Sequence, residues 1–214
     1  TDDSGRYRFD GLWPADYYLE AGLPSGTIFV RPDDPNYESG ASAVTASGEG
    51  AGTSELFYLH MAQHRLDMDV IYIKPARVGD LAWLDENGNG LVDEGEPGIP
   101  GITVRLMQDG EAVYETVTDA YGYYLFTDVY PGAYTLVAKA YPELTPTRQV
   151  EALRIISSCL VGGDGTEAYS DSFEVESGSL NVNYDLGYLL REGESLPSAI
   201  TAPPTRDWTL SNTK

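Results

Sequence analysis

Between Asp85 and Glu96 the chain reads DENGNGLVDEGE, and its oxygen-bearing side chains recur at the spacing that a hard divalent cation requires. On a twelve-residue calcium loop Asp85 takes position 1, Asn87 position 3, Asn89 position 5, Gly90 position 6, Leu91 position 7, Asp93 position 9 and Glu96 position 12. Calcium wants six to eight oxygens at about 2.3–2.6 Å. Alternate side chains at positions 1, 3 and 5 turn inward, Gly90 permits the sharp bend, Leu91 offers its backbone carbonyl, and Glu96 closes the shell with two oxygens. Without a cation the charges of Asp85, Asp93 and Glu96 repel one another. An acidic Asn-Gly hairpin turn is the plainer alternative. Every expected position agrees, the glycine included, which favours calcium (Ca2+). Pro97, Gly98, Pro100 and Gly101 follow, then an alternating strand at Ile102, so no helix continues from the loop. The loop is expected to be a clasp between strands.

Other chemistry finds little support. His60 and His64 are four apart, a spacing that joins two imidazoles on a helix but not on a strand, and there is no HExxH. Cys159, the single cysteine, excludes a disulfide framework and reads as a small buried hydrophobe among Ile155, Ile156, Leu160 and Val161. No nucleophile elbow accompanies the serines, nothing selects a catalytic pair among the 34 acidic residues, and most of the 16 tyrosines fall at alternating strand positions, as core residues do. The chain is therefore expected not to be an enzyme.

The positions around the loop must come from β structure. Ile102, Val104 and Leu106 alternate with Thr103 and Arg105; Tyr124 and Phe126 alternate likewise, as do Leu66, Met68 and Val70. Turn signals recur at Gly98–Gly101, Asp109–Gly110, Ala120–Gly122 and Pro131–Gly132, and no amphipathic helix intervenes, which predicts an all-β sandwich. Segments 38–54 and 161–172 read as loops, and 191–214, with Pro197, Pro203 and Pro204, as a linker or tail.

The chain also repeats itself. Residues 1–19, TDDSGRYRFDGLWPADYYL, match residues 118–136, TDAYGYYLFTDVYPGAYTL, at an offset of 117 without a gap. Weaker echoes link Phe57–Leu59 with Phe173–Val175 and Leu66–Val70 with Leu180–Tyr184. The second copy is preceded by a run from Arg77 to Val117 that the first lacks. Residues 1–75 are thus expected to be the C-terminal part of a first repeat, 76–190 a complete second one, and 191–214 a tail. Either the protein extends upstream of Thr1 or another chain fills the gap. Thr1 itself reads as the start of a fragment or a processed product.

Composition narrows the partners. The 214 residues carry 34 Asp+Glu against 13 Lys+Arg, a net charge of −21, which repels nucleic-acid phosphates and anionic lipids and attracts cations. Hydrophobic residues at 42% are enough for a globular core. No run of 18 apolar residues marks a membrane insertion.

The stretch VGDLAWLDENGNGLVDEGEPGIPGITVRL, with the block TVTDAYGYYLFTDVYPGAYTL and the Asp185-Leu186-Gly187-Tyr188 ending, resembles the B-type repeats (SdrD B-like domains) of serine-aspartate-repeat surface proteins of Gram-positive bacteria. The resemblance covers residues 77–140 well and 1–75 as a partial copy. It implies tandem Greek-key Ig-like or prealbumin-like β-sandwiches related to collagen-adhesin B-type domains, the first incomplete. It further implies a secreted, extracellular role at the bacterial cell surface, as a calcium-rigidified stalk of an adhesin between a binding head and the cell wall. Such repeats use additional calcium sites, with Asp80, Asp119, Asp128, Asp164 and Asp171 as candidate ligands. Related domains carry a Lys–Asn isopeptide bond; the second unit has no lysine from Val78 to Leu84, so none is expected there. In the first unit Glu20 stands where such domains place the assisting acid. The expected partners are calcium and neighbouring repeats. A module binding host matrix protein or glycan through 38–54 and 161–172 remains open. So does a filament subunit that donates residues 207–212, DWTLSN, as a strand to a neighbour.

Overall fold

The computed structural model describes residues 1–30, 42–48, 50–150, 153, 156–163 and 167–200. The chain divides into two compact units, 1–74 and 75–214. Among its described residues the first holds seven short strands: β1 (Ala15–Tyr17), β2 (Glu20–Gly22), β3 (Ile28–Phe29), β4 (Thr45–Gly48), β5 (Ala51–Thr53), β6 (Phe57–Leu59) and β7 (Tyr72–Ile73). The second holds β8 (Ala76–Leu84), β9 (Thr103–Gln108), β10 (Glu111–Val117), β11 (Tyr123–Val129), β12 (Gly132–Lys139), β13 (Leu144–Pro146), β14 (Leu160–Gly163), β15 (Glu167–Ser170), β16 (Phe173–Val175), β17 (Leu180–Asn181) and β18 (Leu186–Leu190). The fold is all-β.

In the second unit one sheet runs β10-β9-β12-β15-β14, with β16 also on β12; the other runs β11-β8-β18-β13, with β17 on β8. The first and last strands of this unit lie side by side in parallel, Ala82 opposite Leu186 and Leu84 opposite Tyr188. Successive strands repeatedly change sheet, as the crossovers of a Greek-key sandwich require. Alternation decides what goes inside: Ile102, Val104 and Leu106 of one sheet meet Val78, Ala82, Leu84, Tyr124 and Phe126 of the other. At about 25 cal/mol per Å2 of apolar surface, such a core supplies most of the unit's stability. The far half of β8 is buried on both faces, because Leu81 and Trp83 enter a small second core with Val92 and the partly buried Tyr123.

Glycine sets one corner. A Cβ on Gly98 would stand 1.8 Å from the Tyr121 carbonyl oxygen, and one on Gly122, at φ +88°, 2.4 Å from that of Ala82. Both obstacles are backbone and cannot rotate away. Gly98→Ala is expected to cost about 3 kcal/mol in urea unfolding. Gly22→Ala, which meets nothing within 4 Å, is expected to be near neutral.

The first unit repeats part of this plan with the same pairings. Ala15, Asp16 and Tyr17 pair with Leu59, Tyr58 and Phe57 as Gly132, Ala133 and Tyr134 pair with Val175, Glu174 and Phe173. Glu20–Gly22 pairs with Thr53–Ala51 as Val137–Lys139 pairs with Tyr169–Glu167. Ile28 and Phe29 face Ile73 and Tyr72 as Thr145 and Pro146 face Leu189 and Tyr188. Even the tyrosine bonds recur. Tyr17 donates to the Trp13 carbonyl as Tyr134 donates to that of Tyr130, and Tyr7 donates to the Met68 carbonyl as Tyr124 does to that of Tyr184. Strands corresponding to β12 to β16 and to β18 are thus present. Among the described residues of this unit nothing stands where β8, β9 and β10 stand in the other.

Several sequence expectations change here. Residues 66–70 form no strand and Leu66 is 90% exposed; the true echo of that region is offset by 116, as Met68 and Tyr184 show, not by 114. Tyr7 and Phe9 alternate like Tyr124 and Phe126, yet they sit in no strand, since their β8-like partner is missing. Segment 38–54 contains the β4–β5 hairpin, and 161–172 contains most of β14–β15, so neither is simply a loop; residues 38–41, 49 and 164–166 lie outside the described set. The expected tail begins inside the second unit: a short 3-10 turn at Ser198–Ile200 buries Ile200 in the main core. Residues 207–212 lie outside the described residues.

Candidate metal-binding loop

The loop starts where β8 ends. The Leu84 amide bonds the Pro97 carbonyl and the Asp85 amide bonds that of Tyr188, so both ends of residues 85–97 are pinned to the sandwich. Asp85 is 1% exposed. Its Oδ1 accepts from the amides of Gly88 at 2.7 Å and Asn89 at 3.2 Å, and its Oδ2 from the Gly90 amide at 2.8 Å and the Thr147 hydroxyl at 2.5 Å. Glu96, 8% exposed, closes the other side: Oε1 accepts from the Glu86 amide and Oε2 from the Asp93 amide, each at 3.0 Å. Asn87 and Asn89 both donate Nδ2–H to the same Oδ2 of Asp93 at 2.6 Å, while their Oδ1 atoms take the amides of Asn89 and Leu91. Gly90 sits at φ +83°, and a Cβ there would strike the Arg148 carbonyl at 2.5 Å.

The sequence-predicted ligands therefore lie in one closed turn, cross-linked by hydrogen bonds. Among the described residues no three Asp, Glu, His or Cys side chains gather into a metal-holding group. The donor set is nonetheless all oxygen, as a hard cation needs, provided the two carboxamides present Oδ1; rotation about their last torsion exchanges O for N. The electrostatics lean the same way. Burial, then the charges of Asp85 and Asp93, push the Glu96 carboxyl above its ordinary value, against two amide bonds that lower it. The ion pairs of the described residues, Arg8–Asp10, Arg65–Asp67 and Arg105 with Glu115 and Glu167, all lie elsewhere. Arg148 reaches the loop only at the Asn89 carbonyl, 3.0 Å from Nε.

The model of the SdrD B-like domain matches residues 76–188, more than half of the chain and the whole of the loop. The chain belongs to this family. Serine-aspartate repeat-containing protein F of Staphylococcus epidermidis is 30% identical over 198 residues, covering 87% of this chain and 11% of that protein. That share exceeds what residues 75–214 contain, so the likeness to this relative runs into the first unit. Serine-aspartate repeat-containing protein D of Staphylococcus aureus (strain Newman) is 32% identical over 152 residues, 69% of this chain and 11% of that protein. Colossin-A of Dictyostelium discoideum is 31% identical over 136 residues, 63% of this chain and 1% of that protein. The chain thus spans about a tenth or less of the length of these relatives.

The further candidate ligands of this SdrD B-like chain are scattered. Asp80 and Asp119 line one shallow surface cavity with Tyr123, Tyr124 and Val182, and Asp119 Oδ1 caps its own turn by accepting the amides of Tyr121 and Tyr123. Asp128 holds φ 58° in the bulge of β11, Asp171 is exposed, and Asp164 lies outside the described residues. Glu20, His60 and His64 are exposed. Cys159 packs partly buried against the main core, and burial pushes its thiol pKa far up, which suits an inert thiol. Sequence reasoning missed Thr147, whose hydroxyl reaches Asp85 across 62 positions; no local pattern marks it.

Proposed function

We propose that this chain is a non-catalytic, calcium-stabilised spacer module, placed in tandem within a longer extracellular protein of the bacterial surface-adhesin type. Membership of the SdrD B-like family supports the structural role. The observation that carries the calcium reading is the buried carboxylate of Asp85 in a loop that Glu96 closes, with only neutral hydrogen-bond donors facing it among the described residues. A bound calcium ion would supply the missing positive charge. Asp85, Asn87, Asn89, Asp93, Glu96 and the Leu91 carbonyl would hold it, and Thr147 would orient Asp85 from outside the loop. Because the loop also carries Val92 into the core around Trp83, ordering it stiffens the end of β8. Millimolar external calcium fits such a site, and neighbouring repeats would be the mechanical partners. The similarity to Colossin-A indicates that the module type is not confined to bacteria. A glycan- or matrix-binding reading would use 38–54 and 161–172, but strands β4, β5, β14 and β15 occupy much of both.

Thermal melts in millimolar calcium and in EDTA test the reading. A ligand at 100 times its dissociation constant adds about 2.7 kcal/mol, which should raise the melting temperature of the second unit by roughly 10 °C. Coincident melts would remove calcium from the account.

A further inference from the structure

We infer that the loop is a site of spontaneous covalent modification: Asn87 deamidates at its bond to Gly88, while Asn89, in the same kind of step before Gly90, is held back. These two are the Asn-Gly steps of the chain. A glycine has no Cβ to shield its own nitrogen, so in such a step that nitrogen is free to attack the carboxamide before it. The reaction needs water alone. The Gly88 nitrogen bonds to Asn87 Cγ, the Cγ–Nδ2 bond breaks, and the proton given up by Gly88 leaves with Nδ2 as ammonia. One water then opens the succinimide ring at either carbonyl, to aspartate or to isoaspartate. Nothing is oxidised or reduced.

Much of the geometry is common to both steps. Each carboxamide donates Nδ2–H to Asp93 Oδ2 at 2.6 Å. Each Oδ1 accepts a backbone N–H, from Asn89 at 2.9 Å and from Leu91 at 2.7 Å, which stabilises the negative charge that builds on that oxygen during attack. Each glycine nitrogen donates to Asp85, Gly88 at 2.7 Å and Gly90 at 2.8 Å. The difference lies in the peptide group that must turn for the ring to close. At 89–90 it is held at both ends, its N–H by Asp85 and its carbonyl by Arg148 Nε at 3.0 Å. Gly90 is also buried, with the Arg148 carbonyl, Arg148 Cγ and Val150 Cγ2 only 2.5, 2.9 and 3.1 Å from where a Cβ would stand. At 87–88 the N–H alone is held, and the Asn87 carbonyl has no hydrogen-bond partner among the described residues. Asn87 and Gly88 are both exposed, and the nearest atom to a Gly88 Cβ is Leu189 Cδ2 at 3.9 Å. One charged hydrogen bond more, with packed backbone around it, corresponds to about tenfold in rate.

The product changes the loop. The carboxamide that donated to Asp93 becomes a carboxylate facing it, in the turn that already buries Asp85. Isoaspartate further adds one carbon to a backbone whose two ends are pinned to the sandwich. This inference does not depend on calcium.

Ageing the full 214-residue chain in EDTA at mildly alkaline pH tests it. Tryptic peptide 78–105 carries both steps and no other asparagine. A mass gain of about 1 Da measures conversion, and electron-transfer fragmentation locates it and separates aspartate from isoaspartate. Conversion at 87 is expected to run about tenfold ahead of 89 in the folded chain, and the two to be comparable in a free peptide of residues 84–97. Arg148→Ala should bring Asn89 up toward the rate of Asn87. Asn87→Gln, whose longer side chain would have to close a six-membered ring, should remove most of the mass gain. Equal rates at the two positions of the folded chain would overturn the inference. So would an unmodified Asn87 after the free peptide has converted, or a ratio that Arg148→Ala leaves unchanged.

Discussion

Asp85→Ala is expected to lower the melting temperature of the second unit by about 10 °C even in chelator, and to erase the further rise expected of the parent chain in calcium. The first effect follows from the donors it strands: the amides of Gly88, Asn89 and Gly90 and the Thr147 hydroxyl all converge on this carboxylate. A buried donor left without an acceptor costs about 1–3 kcal/mol, and water entering the loop recovers part of that, leaving roughly 3 kcal/mol. Two controls keep general charge effects apart from this one. Glu94→Ala removes the same charge from an exposed position of the same loop and should change little. Asp85→Asn keeps the shape and an acceptor oxygen, so in EDTA it should lose less than the alanine variant, while its calcium response is lost as well. Equal losses for Glu94→Ala and Asp85→Ala would mean that the hydrogen-bond network around Asp85 does not govern the stability of the unit.

Trp83→Ala should be more damaging still, by about 3–5 kcal/mol, read as a fall in the urea midpoint. The indole is fully buried beneath the loop against Leu81 and Val92, and Gly187 lies so close that a Cβ there would meet the ring at 2.5 Å. No neighbouring side chain can fill the space without moving the β8–β18 pair. Trp83→Phe is the informative companion. It keeps a ring and removes an indole N–H that has no hydrogen-bond partner among the described residues, so it should cost less than half as much. If phenylalanine and alanine are equally harmful, the indole N–H has a role that packing does not describe. Loss of calcium affinity in Trp83→Ala at temperatures where the unit stays folded would show that the small core and the loop are one cooperative element.

The family identity gives these effects a setting. Under the proposed spacer role the module would have to resist bending, and the end of the first strand of the second unit is held by a loop that buried carboxylates close. The tandem character is visible within the chain itself, since the pairings of the first unit reproduce those of the second residue by residue.

What the sequence determined by itself was local. Strict alternation at Ile102, Val104 and Leu106 announced a half-buried strand, because it depends on neighbours a few positions away; the spacing from Asp85 to Glu96 reads as a calcium loop between strands, and the structure brings those residues into one closed turn. The matching blocks at an offset of 117 announced a repeat for the same reason. Tertiary structure decided the rest. Tyr7 and Phe9 carry the pattern of Tyr124 and Phe126 but stay uncovered, since a strand exists only where a partner accepts its hydrogen bonds, and the partner β8 belongs to the other unit. Leu66, Met68 and Val70 alternate without a sheet to join, whereas the residues of β4 and β5 and of β14 and β15 pair because β2 and β12 present edges to them. Thr147 meets Asp85 only because β13 and β8 both lie beside β18. Periodicity records which face a residue would bury; it takes the packed neighbour to bury it.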